Sequence, residues 1–297
     1  MEAKICKYKN NAKSAFTFVF DDGCYGESTE WTYEIFKSIF EETGIKFKAT
    51  SAQTVGFISP RLKEMWENLF SEGYYDLCAH SIGHCICYCK DTPMEDLHSD
   101  ALNSREKLKE MYGILPLTYA TPGGGSDQVG WDVLKNYYIA NRNGNDKINI
   151  PGEIDWFNIG TFTAMLNRTS EEYTNNIDEI IKNEGWSVQV NHWITKKEED
   201  KFHSQSFSTF VDECNYLKEK AKANEVWVAS LNEATLYLQE AEKSTLEIKE
   251  TDKEYEITLV CPLDKDIYSY PLTVEVKTEN TLTCVDILPN QTVKIGK

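Results

Sequence analysis

Short apolar runs rich in β-formers alternate along most of the chain with segments whose apolar positions recur at helical spacing. Ala15–Phe20 predicts a strand. Trp31, Ile35, Phe36 and Ile39 then share one face of a helix over Thr29–Glu42, with Ser28 or Thr29 as its N-cap. Lys46–Ser51 predicts a second strand. Ser59-Pro60 opens a helix carrying Leu62, Met65, Trp66, Leu69 and Phe70, and Asp76–Ala79 is a third strand. Glu95–Tyr112 reads as a helix that Gly113 stops. A fourth strand, Leu117–Thr121, runs into Pro122-Gly123-Gly124-Gly125. A short helix over Val129–Tyr137 precedes a strand at Tyr138–Ala140. Further helices at Ser170–Asn183, Phe207–Ala223 and Asn232–Ala241 are interleaved with strands at Ser187–Val190 and Val226–Ala229.

Strand and helix in alternation imply a parallel sheet with helical crossovers. Seven or eight such units favour a closed or distorted (β/α) barrel of about seven strands over residues 1–243. Near Glu242 the period changes to two. Leu246–Ile248, Tyr255–Val260, Leu272–Val276, Val285–Leu288 and Val293–Ile295 alternate apolar and polar residues between turn signals. Residues 244–297 therefore predict a small antiparallel β module, sandwich-like, of four or five strands. Such a module could bind glycan, with Tyr268 and Tyr270 as stacking candidates, hold two copies together as a homodimer, or cap the barrel.

Composition narrows the partners. The 297 residues carry a net charge of −17, which argues against nucleic acid or an anionic membrane as a partner. A neutral substrate or a cationic product suits this field better. No apolar stretch is long enough to span a membrane, and Met1–Lys7 has no apolar signal core. The 9 cysteines show no regular disulfide spacing. These features favour a reducing cytoplasm, although a secreted domain with its leader removed would look the same.

Two strings carry the chemistry. One is Asp21-Asp22-Gly23 after the first strand; the other is His80-Ser81-Ile82-Gly83-His84 after the third. An aspartate with two histidines is a ligand set for zinc, cobalt, nickel or iron that leaves positions open. A second aspartate beside it can act as a base on bound water. With only 5 histidines in the chain, a pair at i and i+4 is informative. Asp21, Asp22, His80, the glycine turn and His192 all fall at C-terminal strand ends, the rim where parallel barrels place their sites.

Together and in this order the two strings resemble the polysaccharide deacetylases, carbohydrate esterase family 4, over roughly residues 15–240. The resemblance implies a metal-dependent hydrolase that removes acetyl groups from an N- or O-acetylated carbohydrate. It makes Asp21 the base and Asp22, His80 and His84 the ligands of a divalent metal, zinc first, while Ser81 matches a hydroxyl that braces the loop. Pro122, Gly123 and Gly124 match the family's substrate-contacting turn, but Ala120 stands where that motif has an arginine. Only Arg61, Arg105, Arg142 and Arg168 exist in this chain. Arg142, near the same rim, is either the substitute partner of Asp21 or an ordinary loop residue. Asp155-Trp156 resembles the next motif, with Asp155 holding the acid histidine and Trp156 walling the acyl pocket, although Gly152 replaces that motif's earlier aspartate. Val190-Asn191-His192 fits the last motif, with His192 as general acid and Trp193 placed to stack on a sugar.

The same machinery also suits a small non-sugar amide, and a non-catalytic carbohydrate-binding protein on a degenerate deacetylase fold remains an alternative while Ala120 is unexplained. Cys85, Cys87 and Cys89 read as buried or half-buried thiols on a strand-like loop, and Cys24 neighbours the candidate site. His98 and His203 read as surface or helix positions.

Overall fold

Strands that are apolar on both faces must be covered on both faces, and here they close on themselves. The structure is a computed structural model that describes residues 1–23, 26–197, 204–278 and 281–297. β1 (Glu2–Ile5) precedes the barrel. The barrel strands are β2 (Ser14–Phe20), β3 (Ala49–Gln53), β4 (Tyr75–Ala79), β5 (Thr118–Ala120), β6 (Ala140–Asp146), β7 (Ile159–Thr163) and β8 (Trp186–Asn191). Each pairs in parallel with the next, and β8 pairs with β2, which closes a seven-stranded (β/α) barrel. Helices α1 (Glu27–Thr43), α2 (Pro60–Glu72), α3 (Met94–Tyr112), α4 (Gln128–Leu134), α5 (Ser170–Lys182), α6 (Phe207–Lys222) and α7 (Leu231–Lys243) complete the barrel. β9 (Trp193–Thr195) and β10 (Ser204–Ser206) form a small parallel pair between β8 and α6, and β11 (Val226–Val228) adds to β2.

Alternation on the strands sorts two cores. Phe16, Phe18 and Phe20 point out to Phe36, Ile39, Trp66, Ile177 and Phe210 of the helices. Ala15, Val19, Ala52, Cys78, Ala120, Ala140, Ile159 and Val188 belong to a second, separate cluster. These residues are mostly small, so the barrel axis is narrow. Trp186 Nε1 donates to Thr17 Oγ1 at 2.9 Å between β8 and β2.

Residues 244–297 supply β12 (Thr245–Glu250), β13 (Glu254–Val260), β14 (Leu272–Lys277), β15 (Leu282–Ile287) and β16 (Thr292–Gly296) in two antiparallel sheets. One of them recruits β1, which pairs with β14. The module packs on α7. Tyr270 donates its hydroxyl to Glu233 at 3.1 Å, and Tyr268 donates to Gln239 at 2.5 Å. Both tyrosines are thus half-buried joint residues rather than open stacking platforms. No helix among the described residues is long and apolar enough to cross a membrane.

Some expected elements move. α1 starts at Glu27 with Gly26 as its N-cap, because Ser28 Oγ is used elsewhere: it donates to the Ile194 carbonyl at 3.0 Å and accepts from the Ile194 N–H at 2.8 Å. β3 begins at Ala49, not Lys46. The strand expected at Tyr138–Ala140 runs instead from Ala140 to Asp146, so Arg142 lies inside it. β7, β9 and β10 were not expected from the pattern. Cys24 and His203 lie outside the described residues, and His98 sits on α3 with Nδ1 2.9 Å from the Tyr137 hydroxyl.

A buried polar knot fixes β8 to α6. Gln205 and Gln189 donate to Glu213 Oε2 at 2.7 and 3.1 Å, and Asn191 Nδ2 donates to Gln205 Oε1 at 2.9 Å. Burial pushes the Glu213 carboxyl up to about 8, against the opposing pull of these two amides. A carboxyl with a raised folded pKa favours folding at low pH, and stability falls as pH rises from its unfolded value toward the folded one. Glu213→Gln removes that loss. We expect the variant and wild type to unfold at similar urea concentrations near pH 4.5, and the variant to be more stable by on the order of 3 kcal/mol at pH 7.

Candidate active site

The same period-two alternation that sorts the core builds the top layer of the barrel. Val19, Cys78, Ala140 and Val188 share one cluster, so two residues further along each chain Asp21, His80 and Arg142 occupy the C-terminal mouth on the same side, with His192 four residues beyond Val188. Asp21, His80 and Arg142 are only 6%, 0% and 2% exposed.

Arg142 Nη2 donates to both carboxylate oxygens of Asp21 at 2.6 Å. The register explains how it gets there. Ala120 pairs directly with Arg142 across the β5–β6 ladder, so an arginine on β6 enters the layer that Ala120 occupies on β5. The methyl side chain of Ala120, fully buried, leaves room for it. Burial alone would push the Asp21 carboxyl up. The Arg142 guanidinium, helped by His80 and His192, outweighs burial and holds it below the usual carboxylate range. The Asp21 N–H donates to the Asn191 carbonyl at 2.9 Å, tying the ends of β2 and β8 together.

His80 Nδ1 lies 2.6 Å from the Ala120 carbonyl. A carbonyl only accepts, so Nδ1 carries the proton and Nε2 presents a lone pair. Burial lowers the imidazole to about 4, so it is neutral at ordinary pH. Nε2 is buried without a hydrogen-bond partner, as is Asp22 Oδ1, and these atoms lie 3.7 Å apart. His84 Nε2 lies 3.6 Å from the same Asp22 oxygen. One donor atom from each of Asp22, His80 and His84 falls within 4.8 Å of the others. Two orphaned buried acceptors, from Asp22 and His80, converging with the His84 imidazole fit a divalent cation, and the imidazole–carboxylate donor set suits a transition metal.

Holding these groups requires unusual backbone. Asp22, Ser81 and His84 all take the left-handed region, at φ of 72°, 72° and 58°. Non-glycine residues there cost on the order of 1–3 kcal/mol each, and the surroundings must impose the conformation. Ser81 Oγ does part of this, accepting from the N–H groups of Gly83 and His84 at 3.2 and 2.8 Å. Asp100 does more: it accepts from the Ile82 N–H at 2.9 Å and from the hydroxyls of Tyr88 and Tyr119 at 2.9 and 3.2 Å. Asp100 was missed by sequence reasoning, although an acid on the buried stripe of α3 with Leu97, Ala101, Ser104 and Leu108 was a visible signal.

Pro122–Gly124 forms a tight turn above β5, and the Gly124 N–H donates to the Thr121 carbonyl at 3.0 Å. A Cβ on Gly124 would stand 2.9 Å from Gly144 Cα, so the turn lies directly against β6. Trp193 opens β9, half-buried beside His192. Asp155 and Trp156 precede β7, where the Trp156 carbonyl accepts from the N–H of Asn141, next to Arg142, at 2.7 Å and its ring packs on the core. Asp155 is exposed and accepts from the Phe157 N–H. Cys85 and Cys87 are exposed and Cys89 is half-exposed, all three as free thiols.

Comparison with known proteins agrees with this architecture. Residues 8–141, the stretch that holds Asp21, Asp22, His80 and His84, match the model of the polysaccharide deacetylase family. Within that stretch, just under half of the chain, the sequence is similar to the polysaccharide deacetylases. A Mycobacterium smegmatis crystal structure assigned as a polysaccharide deacetylase superposes with a TM-score of 0.53 at 12% identity, covering 85% of this chain and 99% of the other. A family 4 acetyl xylan esterase from Clostridium thermocellum, in complex with a cobalt ion, superposes with a TM-score of 0.51 at 12% identity, covering 74% of this chain and 90% of the other. These likenesses are of fold. A gellan lyase from a Bacillus species is 22% identical over 306 residues, an alignment that takes in 94% of this chain but 12% of the relative. The chain thus spans about an eighth of the length of that curated relative.

Removing Arg142 leaves a buried carboxylate without its counter-charge. We expect Arg142→Ala to cost about 3–5 kcal/mol at pH 7. A depressed carboxyl contributes stability above its unfolded pKa and loses it as pH falls through the folded value, so the penalty shrinks in acid. Moving the arginine back, as Ala120→Arg with Arg142→Ala, recovers part of the loss. Urea denaturation in the presence of chelator at pH 7 and pH 4 measures both.

Proposed function

We propose that this chain is a metal-dependent deacetylase acting on an N- or O-acetylated carbohydrate. The observation that carries the reading is the convergence, at one barrel mouth, of a buried Arg142-paired Asp21 with one donor atom from each of Asp22, His80 and His84.

Asp22, His80 and His84 would hold a divalent transition metal, zinc by preference. When bound, such an ion supplies Lewis acidity toward an acyl carbonyl and lowers the pKa of water. Asp21 is the proton acceptor: ionised by its arginine, it takes the proton of the attacking water. Arg142 orients that carboxylate by holding both oxygens, which keeps it from swinging onto the ligands. His192, next to Asp21 along the β2–β8 ladder, gives a proton to the departing amine or alkoxide as the acyl bond breaks. The Pro122–Gly124 turn offers a backbone N–H to the developing oxyanion; Gly124 has committed its own, so the donor is a neighbour in the turn. Trp193 supplies an apolar wall beside the acid.

The test measures bound metal by elemental analysis and acetate release from acetylated oligosaccharides on the same samples. Wild type should contain about one divalent ion and release acetate. His80→Ala with His84→Ala should lose the metal. Asp21→Asn and His192→Ala should keep the metal and lose on the order of 10²–10⁴ in kcat/KM. A wild type that binds no metal after reconstitution, or binds it and releases no acetate from any acetylated sugar, refutes the proposal.

A further inference from the structure

Cys87 and Cys89 stand one residue apart on the loop that leads into α3, and their thiols hydrogen-bond to each other. The backbone bends to bring them together. The Cys89 N–H donates to the Cys87 carbonyl at 2.9 Å, which closes a three-residue turn centred on Tyr88. The Thr92 hydroxyl donates to the same carbonyl at 2.6 Å, and the Thr92 N–H donates to the Cys89 carbonyl at 3.1 Å. Tyr88 is fully buried with its hydroxyl on Asp100, and its carbonyl accepts from the Asp127 N–H at 3.0 Å. A Cβ on Gly130 would stand 2.2 Å from that carbonyl oxygen, so α4 lies hard against the turn. The turn is therefore fixed from inside while its two sulfurs face outward: Cys87 is exposed and Cys89 half-exposed.

This pair differs from the other thiols of the chain. Burial pushes Cys6 and Cys78 up to about 12, which leaves them inert. Cys89 goes the other way. The Asp91 N–H and then the Cys87 thiol donate to its sulfur and hold it below the usual thiol range, while the same bond to Cys89 pushes Cys87 up. One sulfur is readied as a thiolate and its neighbour keeps a proton. A bound metal is the other common use of clustered thiols, and the geometry argues against it. Cys85 is engaged elsewhere, donating to the Gly83 carbonyl at 3.0 Å, and among the described residues only Asp22, His80 and His84 gather three ligand atoms at one point.

We propose that Cys87 and Cys89 are a reversible dithiol–disulfide site that exchanges with low-molecular-weight disulfides. A hydrogen-bonded three-residue turn sets its ends within the Cα separation a disulfide spans, about 4.4–6.8 Å. The Cys89 thiolate attacks one sulfur of the small disulfide; that S–S bond breaks, and the leaving thiolate takes up a proton. Cys87 then gives up its proton and attacks the Cys89 sulfur of the mixed disulfide, which expels the second small thiol. In sum, two cysteine thiols lose two electrons and two protons, and one small disulfide becomes two thiols. The new bond closes a small ring at the surface, which places it with the readily reduced disulfides rather than the permanent ones. The site is independent of the chemistry at the barrel mouth.

The experiment equilibrates the full chain with mixtures of reduced and oxidised glutathione, quenches with acid, alkylates the remaining thiols and maps the bonds by mass spectrometry. Wild type and Cys85→Ser should both form a Cys87–Cys89 disulfide that reverses on return to reduced glutathione. Cys87→Ser should stop at a glutathione mixed disulfide on Cys89. Cys89→Ser, without the readied thiolate, should form its mixed disulfide on Cys87 about tenfold more slowly. In the urea-unfolded chain the same pair should need an oxidised-to-reduced ratio about tenfold higher, since the turn no longer holds the sulfurs together. A pair that stays reduced at every ratio overturns the inference, as does a bond from either sulfur to another cysteine instead. Equal ratios for the folded and unfolded chain overturn it as well, because spacing alone would then account for the bond. Reactivity that appears only after a chelator is added also overturns it, since the two sulfurs would be holding a metal.

Discussion

One buried ion pair organises the mouth of this barrel. Below it the axis is filled by alanines, valines and a cysteine, an environment that cannot hold a lone carboxylate. Asp21 is tolerable there because Arg142 supplies the opposite charge at hydrogen-bond distance, and Arg142 is tolerable because Asp21 answers it. The pair is not an optimal fork: Nη2 makes both contacts, and Nε is left without a partner. It fixes the charge state of one acid while, a strand away, His80 is kept neutral by burial.

Around that pair the polypeptide trades local ease for placement. Left-handed backbone at Asp22, Ser81 and His84 would relax in a free loop. Here it is held by Ser81 from within and by Asp100 from behind, with two tyrosine hydroxyls anchoring the same carboxylate. The aim of three ligand atoms at one point thus depends on residues that never touch that point.

Much of this was legible in the residues, for reasons that differ by element. The barrel was readable because its strands, such as Phe16–Phe20, are apolar on both faces, and because each helix brought its own stripe. β6 was not, because Asn141, Asn143 and Asn145 are poor strand formers; closure of the barrel, not propensity, makes that strand. β7 hid because it is only five residues long and Gly160 interrupts it. Asp21, Asp22, His80 and His84 stood out by residue type and spacing, and the structure gathers their side chains. Arg142 stood as one of two readings, since a single sequence gives no register, and only the ladder sets Ala120 opposite Arg142.

The pairing of β1 with β14 has a bearing on how the chain comes off the ribosome. Residues 2–5 are made before the barrel, and their partners at 274–277 only after it. Barrel strands can meet their neighbours as each unit emerges, since β2 through β7 pair in sequence order. The leading segment must wait through all of that with its N–H and C=O groups facing water. It locks in place only when the C-terminal module has appeared, so a long-range contact serves as the last stitch. Until then β14 presents an open edge, the part of a nascent sheet most apt to seek the wrong strand.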